Sequence, residues 1–425
     1  MTSLAPVSQR ILGTSRMLEL PSWPVLAYAW GLPVWWATGL GSFISIILAV
    51  PMVAFLVLRG NLRIVPGMWP LIAFVVWTIP CALMLDSSNR LIGYALQFLQ
   101  DASVVVLFAY VVNAATTLTA RRLLDGLTAI WVFVIIGGYL GMLWPETVLT
   151  TTVGQLLPGS LRENDYVRDL VFPGFAEIQL PYGAEEPFVR PSAPYAYTNG
   201  WGAAIALLTP IVIGAALERR SWKANGLTTL GLAASLPPAI ATSNRGLFVG
   251  LAAALLYMLV RLVARRRWQP AIAIASLAGV AVVVLAASGL FAIITERQDA
   301  ADTTAGRGDL YLETFERTLT SPLLGFGAPR PSYTSEISVG TQGLVWNLMF
   351  SYGFVGLVLF LWFLAGAVIR TWRAPTHAEL WLHTSLVVAC VLGIFYGLDR
   401  HLITICIVLA VLLRRRYIER AWDTG

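Results

Sequence analysis

The sequence predicts an all-α polytopic membrane protein with about twelve transmembrane helices, and three observations lead there. Hydrophobic residues make up 57% of the chain and charged residues only 12%, against about 25% charge in a soluble domain. Mean hydropathy is +0.72. The apolar residues fall into long runs, and the basic ones gather in the short stretches between them. A net charge of +6 in that arrangement orients a chain in the bilayer, and it argues against nucleic acid as a partner.

The runs lie at roughly 23–40, 42–58, 66–85, 91–113, 124–144, 198–217, 226–242, 246–263, 270–294, 343–369, 380–398 and 401–413. Several fall a little short of the ~20 residues an upright helix needs. The segment before the first run has Arg10 and Arg16 but no compact apolar core followed by a small-residue cleavage site, so the first span serves as the anchor. The whole chain, 1–425, reads as a single membrane domain. Cys81, Cys390 and Cys406 all sit inside apolar runs, which suits small buried residues rather than a disulfide framework or metal ligands.

Basic residues set the orientation. A cytosolic N-terminus puts Arg59, Arg63, Arg121, Arg122, Arg219, Arg220, Lys223, Arg261, Arg265, Arg266, Arg267, Arg370, Arg373, Arg414, Arg415 and Arg416 on one side, and the C-terminus is then cytosolic too. Two long segments, 145–197 and 295–341, face outward. Loops of that length in a bundle are usually functional or disordered. Within the second, Asp309 to Leu319 reads as a short amphipathic helix with Tyr311, Phe315 and Leu319 on one face, ended by Ser321-Pro322.

The short turn Ala241-Thr-Ser-Asn-Arg-Gly-Leu247 also points outward. Ser243, Asn244 and Gly246 are turn residues, and the following helix is expected to offer its N-terminal amides and dipole beside Arg245. Arg190, Arg245, Arg307, Arg317, Arg330 and Arg400 all lie outside, against the positive-inside tendency, so a specific anion is the economical explanation. A diphosphate at the head of a lipid would arrive laterally and meet Arg245 at the interface, and the planar guanidinium fork suits it. A snorkelling arginine that only marks a helix end is the alternative at this position. Asp101, with Gln97 and Gln100 on its face, is either a functional acid at mid-span or part of an interfacial piece spanning 91–101. His383, inside the eleventh run, is expected to hydrogen-bond a neighbouring helix.

Ala241-Thr-Ser-Asn-Arg-Gly, Gly306-Arg307-Gly308 with its helix, Ser321-Pro322-Leu-Leu-Gly-Phe-Gly327, and Gln342 to Asn347 leading into Gly353-Phe-Val-Gly356 follow one another along the chain. In that order they resemble the motifs of the O-antigen ligase and O-antigen polymerase superfamily, and Arg190-Pro through Tyr197-Thr-Asn-Gly-Trp201 is similar to a pattern that opens a span there. The resemblance covers residues 190–370. It implies a metal-independent membrane glycosyltransferase of the bacterial inner membrane, without cofactor, working in cell-envelope polysaccharide biosynthesis. The donor it implies is a polyprenyl-diphosphate-linked glycan and the acceptor a glycan or glycolipid. Carried over residue by residue, Arg245 and Arg307 hold the donor diphosphate, and Gln342 stands where the family usually has a histidine. Arg190, Asn199, Ser243, Asn244 and Asp309 are the candidate substrate-binding residues around them. Glutamine cannot take a proton as imidazole does, so Asp309, Glu313 and Glu336 enter as possible substitutes. A flippase or transporter of lipid-linked sugars, which would need a charged path such as Asp101, and a non-enzymatic glycan-binding scaffold are the rival classes.

Overall fold

The computed structural model describes residues 19–162, 165–179, 187–289, 305–335 and 337–419, and it is 72% helical. Arg10, Arg16, Glu336 and Arg420 lie outside the described residues, and so does the side chain of Arg307.

The first apolar run is two helices rather than one. Gly31 separates α1 (Trp23–Trp30) from α2 (Leu32–Thr38), where Pro33 has no amide with which to continue the ladder. Then come α3 (Ile44–Arg59), α4 (Trp69–Cys81), α5 (Arg90–Asn113) and α6 (Ala120–Leu143). The first long loop contains three short helices, α7 (Thr152–Leu156), α8 (Gly159–Arg162) and α9 (Asp165–Val171). It also forms an antiparallel hairpin of β1 (Ala176–Gln179) and β2 (Phe188–Pro191), with Glu177 opposite Arg190. This small sheet corrects the all-helical expectation; four-residue strands ending in a proline leave no alternation to read. After it follow α10 (Thr198–Arg219), α11 (Trp222–Thr242), α12 (Arg245–Ala264), α13 (Trp268–Ala287), α14 (Ala305–Thr318), α15 (Leu344–Thr371), α16 (His377–Leu392) and α17 (Leu402–Arg414).

Among the described residues, six helices are long and apolar enough to cross a membrane: α5, α6, α10, α12, α13 and α15. Shorter apolar helices occupy three more of the runs, at Ile44–Arg59, Trp69–Met84 and His377–Leu392. The protein is therefore a multi-pass membrane protein. Asp101 lies inside one unbroken helix, α5, buried and accepting from Gln97 Nε2 at 3.3 Å. No interfacial break occurs at 91–101.

α10 is the central helix, packed by α6, α11, α12 and α16. Its small residues allow that approach: a Cβ on Gly214 would stand 3.0 Å from the Ala378 carbonyl oxygen of α16. α11 passes α6 at a proline step. Pro238 has no amide for the Ala234 carbonyl, and Tyr139 OH of α6 donates to that oxygen at 2.9 Å instead.

One end of the bundle collects the basic residues. Arg59 reaches the Asn113 carbonyl, Arg219 pairs with Asp125, Arg415 pairs with Glu218, and Arg265 donates to the Ala374 carbonyl at 2.9 Å. Arg414 is no loop charge: it is 2% exposed and donates to the carbonyls of Leu118 at 2.7 Å and Ala115 at 3.0 Å. His383 does what its position suggested, bonding Tyr257 OH through Nε2 and Thr371 Oγ1 through Nδ1, each at 2.7 Å.

α15 is kinked at Gly353, whose φ is 68° and ψ −175°. The kink frees two carbonyls. Phe350 O accepts from Phe326 N at 2.8 Å, Ser351 O accepts from Gly327 N at 2.9 Å, and Phe354 N donates back to Pro322 O at 2.8 Å. The stretches Ser321–Gly327 and Gly353–Gly356 are thus two halves of one backbone junction, which locks the loop after α14 onto α15.

Candidate functional site

The turn between α11 and α12 is built by Ser243 and Asn244. Ser243 takes a left-handed conformation, φ 47°, that ends α11. Asn244 caps α12: its Oδ1 accepts from Leu247 N at 3.2 Å, and its Nδ2 donates to the Thr198 carbonyl at 3.1 Å. Tyr396 OH donates to Asn244 Oδ1 and accepts from Gly246 N at 3.0 Å. Gly246 is required here, since a Cβ would fall 2.3 Å from the tyrosine oxygen.

These contacts change two expectations. The amides of Gly246 and Leu247 are satisfied from inside the protein, so they are not free to hold an anion. The side chain of Asn244 is 1% exposed and fully engaged, and Ser243 is 8% exposed. Both residues shape the turn. Arg245 is left exposed at the first position of α12, with no hydrogen bond or ion pair to any described residue. The helix dipole still acts there.

The other outward arginines are mostly committed. Arg190 Nε donates to the Thr242 carbonyl at 2.9 Å, bracing the end of α11 from β2. Arg317 pairs with Glu313 at 3.0 Å and stacks on Tyr333, 4.4 Å from its ring centroid. Arg330 donates to Met84 O at 2.9 Å and lies 4.5 Å from the Phe326 ring centroid. The argument from six outward arginines is therefore corrected: at least three of them hold loops rather than a ligand.

Glu313, offered as a substitute base, is also occupied. It accepts from Ser332 Oγ, from Tyr333 N at 3.1 Å and from Arg317. Burial raises its pKa, but these three donors outweigh burial and leave it below the usual carboxylate value. The stabilisation this gives the 332–335 turn is present above the unfolded pKa of a glutamate and is lost as pH falls through the lowered one. Asp309 is exposed on α14.

Gln342 comes close to the turn through Tyr396. Leu344 N donates to Tyr396 O at 3.0 Å and Trp346 Nε1 to Ile394 O at 3.1 Å, so the start of α15 hangs on the turn after α16. One tyrosine and two hydrogen bonds thus separate the backbone at Gly246 from that at Leu344. α14 is attached to the same point: Tyr311 OH donates to the Gln342 carbonyl at 3.4 Å, and its ring stacks on Trp346 with centroids 4.1 Å apart. Arg307 stands one turn before Tyr311 in α14, which begins at Ala305, so it lies in the helix rather than ahead of it. The Gln342 side chain is half-buried, its Nε2 donating to Thr341 Oγ1 at 3.1 Å.

Sequence reasoning missed Tyr396. The signal available was the glycine-flanked aromatic stretch Gly393-Ile-Phe-Tyr-Gly397 near the end of the run 380–398. Asn199 is exposed on α10 and lines a separate cavity that includes neither Arg245 nor Gln342. No curated protein matches the chain. Residues 230–361, which hold the Arg245 turn, α14, Gln342 and the Gly353 junction, match the family model described as O-antigen ligase, so over this core the chain is similar to the O-antigen ligase superfamily whose motifs it carries.

Proposed function

We propose that the chain is a membrane glycosyltransferase that moves a glycan from a polyprenyl-diphosphate donor to a lipid- or glycan-borne acceptor. It acts at the outer face of the bacterial inner membrane, in the assembly of surface polysaccharide. The observation that supports this most is Arg245, an exposed guanidinium at a helix N-terminus, tethered through Tyr396 to the motif residues at the start of α15.

An acceptor hydroxyl oxygen attacks the anomeric carbon of the donor, the bond from that carbon to the diphosphate breaks, and the diphosphate leaves on the lipid. Arg245 and Arg307 stabilise the charge that develops on it, the electrostatic contribution that is usually largest in such a step, and no metal is needed to do so. Gln342 positions the acceptor hydroxyl by accepting its hydrogen bond, and the proton passes to the departing diphosphate. Incubating purified protein with a lipid-diphosphate glycan and an acceptor tests the reading. Release of free lipid diphosphate together with an elongated acceptor supports it, whereas a flippase or scaffold releases none.

The orientation belongs to the same proposal and rests on the single basic end of the bundle. A cysteine at Thr334, exposed beside the 332–335 turn, is expected to react with an impermeant thiol reagent in intact cells, and one at Lys223 is not. The reverse pattern overturns the sidedness. Ser192 is unsuitable for this measurement, being 1% exposed.

Gln342→Ala is expected to lower turnover about 10–100-fold through lost positioning, below the ~10²–10⁴ attributed to full acid–base catalysis. Gln342→His is expected to retain or raise activity and to add a neutral-range ionisation to the pH–rate profile. Parental kinetics in Gln342→Ala across the pH range remove this residue from the site.

A further inference from the structure

The cavity that Asn199 lines is outside the Arg245 site and has no role in the scheme above. Its volume is about 390 Å³, within the ~300–1,000 Å³ of small-ligand sites. Its walls join distant parts of the chain: the start of α3, the middle of α5, the entry to α10, and the Asp399-Arg400-His401 turn before α17.

Two of its lining residues have buried polar atoms with nothing to bond. His401 is 3% exposed and Trp36 9% exposed, and neither His401 Nε2 nor Trp36 Nε1 has a hydrogen-bond partner among the described residues. Buried polar groups are rarely left so, and each unpaired one calls for an explanation. The other side of the His401 ring is held by the Gly200 backbone, and its face lies 5.2 Å, centroid to centroid, from Tyr195. One ring nitrogen is left unpaired at the cavity wall.

Charge decides the class of ligand. Asp169 and Asp399 face a single arginine, Arg400, whose Nη1 already reaches the Ser42 carbonyl at 3.5 Å. The cavity therefore offers a diphosphate no excess of positive charge. A neutral polyhydroxylated ring needs none. Its hydroxyls match the amides of Gln100 and Asn199 and the carboxylates, and its C–H faces pack on aromatic faces such as Tyr28 and Tyr195. The cavity also begins next to the donor turn: Asn244 holds the carbonyl of Thr198, and Asn199 and Gly200 line the cavity.

We infer that this cavity is a saccharide-binding site that holds a neutral sugar of the acceptor beside the Arg245 turn, with His401 and Trp36 turning their unpaired ring nitrogens to its hydroxyls. The word acceptor rests on the glycosyltransfer reading; the binding does not. The test uses Ser45→Cys, at the cavity wall, in a chain whose three native cysteines are replaced by alanine. Its reaction with a charged thiol reagent is timed with and without millimolar glucose, galactose, mannose, rhamnose or N-acetylglucosamine, and Ser332→Cys serves as the control. At least one sugar is expected to slow labelling of Ser45→Cys several-fold and to leave Ser332→Cys alone. His401→Ala, melting as the parent does, removes that protection, and Arg245→Ala keeps it. Labelling unaffected by all five sugars overturns the inference, and so does protection that Arg245→Ala abolishes.

The acceptor role is read separately. Ser45→Trp, which fills the cavity, is expected to lower glycan transfer at least tenfold while binding of an added lipid-diphosphate donor is unchanged. Undiminished transfer refutes the assignment. A parent protein that neither transfers glycan nor binds donor refutes the glycosyltransferase reading instead, and sugar protection at Ser45→Cys still decides the cavity.

Discussion

Arg245→Ala is expected to lower glycan transfer by roughly 10²–10³-fold, the loss that follows when one donor to a developing anion, worth about 2.7–4 kcal/mol, is removed. Its thermal melt is expected to stay with the parent, because the side chain is exposed and makes no hydrogen bond or ion pair with a described residue. Arg245→Lys recovers part of the rate, since an ammonium supplies charge without the bidentate fork. The release of free lipid diphosphate at saturating donor measures all three proteins. An alanine variant at parental rate ends the donor-site assignment.

Gly353→Ala is the second large effect, and it acts on stability. At φ 68° and ψ −175° a side chain is strained whatever the space, and here the space is taken: a Cβ would stand 2.1 Å from Leu323 O and 2.7 Å from Pro322 O. Backbone strain of about 1–3 kcal/mol and overpacking of similar size add to roughly 2–6 kcal/mol. The junction with Phe326 and Gly327 is expected to open, loosening α14 and taking activity with it. A detergent melt within error of the parent contradicts this account of the kink.

Much of the fold was legible because membrane helices announce themselves locally, one apolar run at a time. The short helix expected at Asp309 to Leu319 was read from its own periodicity, but it runs Ala305–Thr318 and buries Leu310, Thr314 and Thr318, leaving Phe315 and Leu319 exposed. What escaped was set by partners distant in sequence. Nothing near Asn244 says that Thr198 and Tyr396 will use up its amide, and nothing near Arg414 says that it will be buried under the turn at Ala115. The hairpin of Ala176–Gln179 and Phe188–Pro191 depends on pairing across a loop, with too few residues for a period to show. The exposed place of Arg245 at the start of α12 was legible for the opposite reason: it depends on no distant partner, so the local pattern of turn residues sufficed. His401 lay in plain view at the edge of a run, and only the absence of a partner in three dimensions singles it out.

The proline step in α11 bears on speed rather than on stability. Because Tyr139 of α6 fastens the Ala234 carbonyl, the helix that delivers the Arg245 turn is set in place by an attachment outside the site. On the proposed function, a guanidinium supported this way waits at one height in the membrane as each lipid-borne donor drifts in from the side. The enzyme then spends little on reorganising its own dipoles during the reaction, and that readiness is what lets a single arginine count for so much.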